Sequence, residues 1–201
     1  MRAEYRRLLA RYGPQGWWPG RTRAEIIIGA ILTQNTAWAN VRRAISNLRK
    51  NRALNFQALE KTSPARLAKW IRPAGYFNQK TVYLKAFAAM LRAAAGGSPA
   101  RLFREDTPAL RRRLLAVKGI GPETADSILL YAAGRPVFVV DAYTRRFLAA
   151  RGLARLAAAA YDDIADFFIA RLPRDARVFN EYHALLVRWG KDHPAPVRSA
   201  E

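Results

Sequence analysis

A turn of three residues, Gly119-Ile120-Gly121, joins two helical stretches within the segment Leu114–Asp126. Two glycines one residue apart allow a tight turn and leave main-chain N–H groups uncovered. Pro122 suits the first position of the next helix, and the start of that helix is the positive end of a helix dipole. The segment therefore predicts two helices joined by a hairpin that can hold a phosphate without any charged side chain.

Apolar residues recur at helical spacing along the chain, and no stretch alternates apolar with polar residues as a half-buried strand does. Val137–Val140 resembles a strand, but four residues without a pairing run cannot make a sheet, so we expect a buried extended link. The sequence thus predicts an all-α fold of roughly ten helices. The predicted helices span residues 2–12, 22–34, 37–50, 55–60, 64–71, 78–95, 107–116, 122–133, 142–150, 158–171 and 175–190.

Short polar side chains indicate where several of these helices begin. We expect Thr22 to cap the second predicted helix, with Glu25 three residues on as in a capping box. We expect Thr36 to cap the third helix and Asp141 to cap the helix over 142–150. Residues that precede prolines are expected to open three others: Ser63, Ser98 and Thr107.

The chain is strongly basic: 35 lysines and arginines stand against 15 acidic residues, for a net charge of +20. The charge is spread along the chain and rich in arginine, which favours a nucleic acid partner over a merely solvated surface or a ribosomal or membrane-surface partner. No apolar run approaches the ~18 residues that span a bilayer, and the N-terminus has no apolar signal core. We therefore expect a cytoplasmic protein that contacts no membrane.

Asp141 follows an apolar run, where a lone carboxylate can be held away from water and directed. Its simplest role is a helix N-cap, and a catalytic role is compatible with capping because capping keeps the carboxylate ionised. His183 and His193 lie ten residues apart with no carboxylate cluster at ligand spacing, so we expect no metal site. The chain has no cysteine, which excludes disulfides and thiolate-held metal clusters.

Trp17 and Trp18 are adjacent in a segment framed by glycine and proline, so either both fill the core or one ring remains available to stack on a base. Gln34 and Asn35 end an apolar helix, with more hydrogen-bonding groups than a plain connection needs. Trp38 follows in the first turn of the next predicted helix. Of these residues, the tryptophans at positions 17 and 18 are candidates for stacking on a base.

Together these motifs resemble those of the helix-hairpin-helix (HhH-GPD) DNA glycosylase superfamily of the endonuclease III type, from about Trp17 to Trp189. Within it, three separated stretches are most similar to the clusterless 3-methyladenine DNA glycosylase III branch. They are Trp17-Trp18-Pro19 with Leu32-Thr33-Gln34-Asn35-Thr36, then Arg72-Pro73-Ala74-Gly75-Tyr76-Phe77-Asn78-Gln79-Lys80, and Lys118-Gly119-Ile120-Gly121 with Glu123 and Ala125-Asp126.

The resemblance implies two helical lobes with a DNA-binding cleft between them and no iron–sulfur cluster. A six-helix barrel lobe containing the hairpin would span residues 20–133, and the second lobe would combine residues 1–19 with 134–201. We expect no cofactor, and a monomer that acts on double-stranded DNA with damaged bases.

The resemblance also implies roles for individual residues. Asp141 matches the catalytic aspartate, and Gln34 matches the wedge residue that fills the hole left by a flipped nucleotide. The residues expected to bind DNA are Gln34, Asn35, Lys118, Gly119, Ile120, Gly121 and Thr124. The residues expected to line the base-binding pocket are Trp17, Trp18, Pro19, Trp38 and Glu123, although the helix dipole alone also favours a glutamate at position 123.

Two departures from the superfamily pattern bear on the reaction. Bifunctional members carry a lysine at the position of Glu123, and a carboxylate cannot form a Schiff base with the deoxyribose. Many members carry a four-cysteine iron–sulfur loop after the last helix, where this chain has Trp189-Gly190-Lys191-Asp192-His193-Pro194.

The resemblance and these departures imply a monofunctional DNA N-glycosylase of base excision repair, which hydrolyses alkylated purines, 3-methyladenine first, and leaves an abasic site. Two alternatives stay open. One is an endonuclease III-like pyrimidine glycosylase with lyase activity, and the other is a non-catalytic helix-hairpin-helix module that binds DNA.

Overall fold

The computed structural model describes residues 1–194, and every regular element among them is helical. This confirms the all-α prediction. The predicted link at Val137–Val140 is extended and belongs to no strand, and Phe138, Val139 and Val140 are buried as expected. The polar, proline-containing tail that the sequence predicts at the C-terminus lies outside the described residues from position 195 on.

The described residues form thirteen α-helices, joined by short connections. They are α1 (Arg2–Tyr12), α2 (Arg23–Thr33), α3 (Trp38–Lys50), α4 (Phe56–Lys61), α5 (Pro64–Ile71), α6 (Phe77–Ala95), α7 (Pro99–Leu102), α8 (Thr107–Leu115), α9 (Pro122–Ser127), α10 (Ala142–Ala150), α11 (Ala154–Ala157), α12 (Tyr161–Ile169) and α13 (Ala176–Asp192). A 3₁₀ turn covers Arg72–Ala74, and a π-helical turn, Ile128–Ala132, directly follows α9.

The chain divides into two compact units. The terminal unit combines Met1–Trp18 with the chain from Gly134 onward. In it α13 packs against α1 and α10, and α11 contacts α10 and α12. The core is aromatic: the Phe138 ring lies parallel to Phe168 at 4.1 Å between centroids and edge-on to Tyr182 at 6.0 Å. Because Phe138 belongs to the extended link, its burial anchors the chain just before Asp141.

The central unit, Pro19–Ala133, is built around α2, which contacts α3, α6 and α9. Four apolar side chains of α2 are fully buried: Ile27, Ile28, Ile31 and Leu32. A helix surrounded by other helices has no solvent face, which explains why α2 is apolar all round. Thr22 caps α2 as predicted, since its hydroxyl accepts the main-chain N–H of Glu25 at 3.1 Å.

Two predicted caps are wrong. Ala37, not Thr36, stands at the cap position of α3, and the Thr36 hydroxyl instead donates to the carbonyl oxygen of Ala74 at 2.5 Å. Thr107 is the first residue of α8, and Asp106 caps that helix by accepting a main-chain N–H at 2.7 Å. The Thr36 hydroxyl thus bonds to a residue 38 positions away, and Asp106 supplies the cap one residue before Thr107. The sequence pattern alone shows neither contact.

Helix ends differ from the prediction by more than two residues in two places. The predicted helix 122–133 ends as α9 at Ser127 and continues as the π-helical turn, in which the Ala133 N–H bonds to the Ile128 carbonyl oxygen at 3.1 Å. The predicted helix 158–171 begins only at Tyr161. Alanines at 157–160 favour helix at every position, so they leave no periodic pattern that would show where α11 ends.

Candidate catalytic and DNA-contacting residues

The hairpin lies between α8 and α9, where the sequence predicts it. Gly119 has a φ of 84°, a left-handed conformation that glycine adopts without strain. A Cβ atom at Gly119 would lie 2.2–2.3 Å from ring atoms of Tyr83, so a larger residue does not fit. Ile120 is buried and anchors the turn, while Lys118 is exposed. Gly121 precedes α9 and supplies no capping side chain, so no side-chain cap covers the positive end of this helix.

Gln34 lies against this hairpin in the central unit. Its Nε2 atom donates to the Gly119 carbonyl oxygen and to the Thr124 hydroxyl, both at 2.9 Å. Asn35 is exposed and has a φ of 49°. The structure therefore brings together three residues predicted to bind DNA: Gln34, Gly119 and Thr124. Their contact with DNA stays a prediction, and a Gln34 wedge has to leave both hydrogen bonds to enter a duplex.

An ion pair joins the two helices that flank the hairpin. Arg111 in α8 donates from Nε and Nη2 to the two carboxylate oxygens of Asp126 in α9, at 2.8 and 3.1 Å. Asp126 is buried, with 2% of its surface exposed. A bidentate pair fixes the direction of both side chains. The sequence motif contains Asp126, but only the structure shows that it holds α9 to α8.

Lys80 in α6 is buried, although it carries an ammonium group. Its Nζ atom donates to the Leu32 carbonyl oxygen, the Thr36 hydroxyl and the Ala74 carbonyl oxygen at 2.8, 2.7 and 2.8 Å. Burial lowers the pKa of Lys80 to about 8, because none of these three acceptors carries a charge. Lys80 thus ties the end of α2 and the connection containing Gln34 to the turn before α6.

Asp141 caps α10 as predicted, and each of its carboxylate oxygens has a different neighbour. Oδ1 accepts the main-chain N–H of Thr144 at 2.7 Å and the Thr144 hydroxyl at 3.0 Å. Oδ2 lies 3.4 Å from Nε2 of His183 in α13, and the two side chains are 13% and 7% exposed. Burial acts to raise the pKa of Asp141, but His183 and the hydrogen bonds from Thr144 outweigh it and lower the pKa below its usual value. The carboxylate is therefore ionised at neutral pH.

Sequence reasoning missed the pairing of His183 with Asp141. The histidine falls within the buried stripe of α13, and the sequence suggests only metal binding or acid–base chemistry for it. No spacing rule links two residues 42 positions apart, on different helices. The one available signal is a lone polar residue inside an otherwise buried stripe, which needs a polar partner from another element.

Trp17 and Trp18 end the first segment of the terminal unit. Their ring centroids are 5.5 Å apart at an interplanar angle of 72°, an edge-to-face contact, and both side chains are only partly buried. Glu181 in α13 holds this segment, because its Oε1 atom accepts the main-chain N–H of Gln15 at 2.6 Å. Within the terminal unit, α13 therefore contacts both the tryptophan segment, through Glu181, and Asp141, through His183.

The other three pocket candidates differ in exposure. Pro19 is exposed, Trp38 is partly buried at the first position of α3, and Glu123 is exposed in the first turn of α9. The positive end of the helix dipole favours a carboxylate at that last position. Contact of these residues with a base stays a prediction.

Within residues 1–194 there is no group of three or more histidine, cysteine, aspartate or glutamate residues that could hold a metal ion. His193 stacks on the Trp189 indole at 4.6 Å between ring centroids. Among the described helices, none combines the length and the apolar character needed to cross a bilayer.

The family model for HhH-GPD superfamily base excision DNA repair proteins matches residues 28–161, which include both the hairpin and Asp141. The chain belongs to this superfamily. The match confirms the resemblance drawn from the sequence, and it covers both of the elements on which that resemblance rests.

Relatives of this HhH-GPD protein include DNA glycosylases of known structure. A candidate DNA repair glycosylase of Methanocaldococcus jannaschii is 45% identical over 184 residues, which are 91% of this chain and 83% of that protein. A 3-methyladenine DNA glycosylase of H. pylori, solved with bound 1,N6-ethenoadenine, is 29% identical with a TM-score of 0.80, over 96% of this chain and 95% of that chain.

A covalently trapped endonuclease III–DNA complex has a TM-score of 0.81 at 19% identity, over 97% of this chain and 87% of that chain, and so shares the fold. At the level of the superfamily, this chain is a DNA glycosylase of base excision repair.

Proposed function

We propose that this HhH-GPD protein is a monofunctional DNA N-glycosylase that hydrolyses alkylated purines, 3-methyladenine first, from double-stranded DNA and leaves an abasic site. Asp141 carries the proposal: it is a shielded carboxylate, kept ionised by hydrogen bonds and by His183. The substrate class is supported by the H. pylori 3-methyladenine glycosylase, which matches nearly the full length of this chain at 29% identity.

The chemistry of an alkylated purine needs little more than such a carboxylate. N-alkylation makes the base cationic and therefore a good leaving group, so no general acid has to protonate it. The remaining requirements are to stabilise the oxocarbenium-like sugar and to orient a water molecule towards it. One ionised carboxylate in a site of low dielectric constant can do both.

The tryptophan segment supplies an aromatic face for the extruded base. Rotating a base out of the duplex costs a few kcal/mol, and stacking on an aromatic ring returns roughly 1–3 kcal/mol. A cationic base gains a further cation–π attraction of about 2 kcal/mol when it is desolvated. Trp17 and Trp18 are only partly buried and are held in place through Gln15 and Glu181, as a stacking platform requires.

The hairpin supplies the hold on the DNA backbone. The positive end of the α9 dipole, the exposed Lys118 and the net charge of +20 all favour phosphate. Hairpin contacts of this kind carry no base preference, because phosphate contacts position a protein without reading the sequence. Lesion choice is therefore assigned to the aromatic residues.

Glu123 is the reason that we propose a monofunctional enzyme without lyase activity, because its carboxylate cannot form a Schiff base with the sugar. Borohydride added during turnover traps such an intermediate wherever a lysine attacks. We expect no covalent protein–DNA adduct. A covalent adduct would contradict the proposal and would indicate a glycosylase of the endonuclease III type that also has lyase activity.

Release of 3-methyladenine from methylated duplex DNA, measured under single-turnover conditions, tests the proposal. The wild type should release the base, and Asp141→Asn should lower the rate by about 10²–10³-fold because it removes the charge that stabilises the transition state. Asp163→Asn is the matched control: it removes one negative charge from an exposed position of α12 in the same unit, and should act at the wild-type rate. Equal rates for wild type and Asp141→Asn would refute the mechanism, and DNA binding without base release would indicate a non-catalytic module.

A further inference from the structure

Only one carboxylate oxygen of Asp141 has capacity left for chemistry. A carboxylate oxygen accepts about two hydrogen bonds, and Oδ1 already accepts two from Thr144, through its main-chain N–H and its hydroxyl. Oδ2 must therefore be the oxygen that faces the reaction. Its neighbour in the fold is Nε2 of His183, at 3.4 Å.

His183 stands on a largely buried face of α13. Phe179 and Leu186, one turn before and one turn after it on α13, are fully buried, and His183 itself is 6% exposed. An imidazole placed among such side chains costs free energy unless its nitrogen atoms meet polar groups. Asp141 is such a group, and it approaches from α10, so the pair joins the helix that carries the carboxylate to the long helix behind it.

We propose that His183 is a positioning residue, whose Nε2–H is directed at Oδ2 of Asp141 and fixes the plane of the carboxylate. Attachment at both oxygens stops the carboxylate from rotating and leaves one lone pair of Oδ2 to orient the attacking water. This inference rests on the proposed function of Asp141. His183 acts through Asp141 and touches neither the sugar nor the base.

If His183 positions Asp141, replacing His183 should change the pKa of Asp141, which a purely packing role would not do. Thr144 on α10 and His183 on α13 both lower the pKa of Asp141 against the effect of burial. The Tyr161 hydroxyl on α12 bonds to the main chain next to Asp141 rather than to its carboxylate: it accepts the Val140 N–H at 3.3 Å. Without His183 the effect of burial is opposed by Thr144 alone, so the carboxylate should take up a proton at a higher pH.

The test compares His183→Leu with Leu186→Ala, which removes buried packing from the same helix but no polar group. Single-turnover release of 3-methyladenine from methylated duplex DNA is measured from about pH 8 down to well below about pH 3.9, the usual pKa of an aspartate. His183→Leu should lower the rate by roughly 10–100-fold, the usual worth of a hydrogen bond to a charged group, and should move the acid midpoint upward with unchanged DNA affinity. Leu186→Ala should leave the midpoint in place.

His183→Gln and His183→Asn give a second comparison that does not depend on the leucine variant folding. A glutamine amide reaches the position of Nε2 and keeps the donor, whereas the shorter asparagine amide does not reach it. The glutamine variant should retain most of the wild-type rate and the asparagine variant should lose it. Equal rates in the two would overturn the inference.

A readout without DNA separates this inference from the proposed function. The pKa of Asp141, followed by the ¹³C shift of its carboxyl group, should be higher in His183→Leu than in the wild type. An unchanged pKa would overturn the role of His183 even if the wild type releases 3-methyladenine. If the wild type releases no base while the pKa still rises, the proposed function fails and the coupling of His183 to Asp141 stands.

Discussion

At the scale of single residues, Gly119 is required for two separate reasons. Its φ of 84° strains any residue with a Cβ atom, and the Tyr83 ring occupies the space that a Cβ atom would take. Gly119→Ala should therefore lower the free energy of unfolding by about 1–3 kcal/mol. It should also weaken duplex binding, because the displaced turn carries the Gly119 carbonyl oxygen away from Gln34 and the N–H groups away from the phosphate.

Gly121→Ala is the matched control for stability. Gly121 has a φ of −90°, and a Cβ atom there would meet nothing within 4 Å. The free energy of unfolding of the Gly121→Ala variant, measured by urea denaturation, should differ from that of the wild type by less than about 0.5 kcal/mol. Equal destabilisation by the two alanines would contradict the requirement for glycine at position 119.

The same scale shows which site residues a sequence can reveal. Gly119, Gly121 and Asp141 stand out because their immediate neighbours define their role: a turn between two helices, and an acid after an apolar run. His183 and Lys80 act on partners more than forty positions away, and on other elements. Only tertiary packing creates those contacts, so nothing in the local pattern separates these two side chains from core or surface residues.

At the scale of elements, Lys80 connects three segments of the central unit. Lys80→Met keeps most of the length of the side chain. It removes the Lys80 donor from the Leu32 carbonyl oxygen and the Thr36 hydroxyl, and leaves the Ala74 carbonyl oxygen with the Thr36 hydroxyl as its donor. Buried acceptors without partners cost about 1–3 kcal/mol each, so the free energy of unfolding at neutral pH should fall. The connection that carries Gln34 should also lose its fixed position, and duplex binding should weaken.

The pKa of Lys80 adds a pH dependence with a definite sign. Burial lowers the pKa from 10.5 to about 8, so between these values the unfolded chain binds more protons than the folded one. The contribution of Lys80 to the free energy of unfolding should therefore rise as the pH rises through this window. Urea denaturation at a series of pH values should show this rise in the wild type and its absence in Lys80→Met. Parallel curves for the two proteins would contradict it.

Elements also differ in how well the sequence predicts them. The helices α3 and α13 are long, and their buried residues recur at helical spacing, so their existence and approximate extent follow from the pattern. The four-residue helices α7 and α11 are too short to show a period, and the π-helical turn after α9 widens a helix without changing which residues are apolar. Periodicity reports which face is buried, and these features depend on main-chain hydrogen bonds instead.

At the scale of the whole molecule, charge determines how strongly DNA is held. A net charge of +20 on 201 residues is spread over many basic side chains, so affinity for a duplex should come mainly from the release of counterions at phosphates. The family match adds the identity of the fold. In the proposed function, the aromatic and acidic residues account for lesion choice and hydrolysis. Affinity and lesion choice should therefore respond differently to salt.

This separation can be measured by titrating an undamaged and a methylated duplex over a range of salt concentrations. The logarithm of the binding constant should fall linearly with the logarithm of salt concentration, by about 0.9 for each phosphate contact, and the two duplexes should give parallel lines. Lys118→Ala should make the slope shallower by about one contact on both duplexes, whereas Lys118→Arg, which keeps the charge, should not. A flat response to salt, or a change of slope on the methylated duplex alone, would show that Lys118 and the basic surface do not act through phosphate.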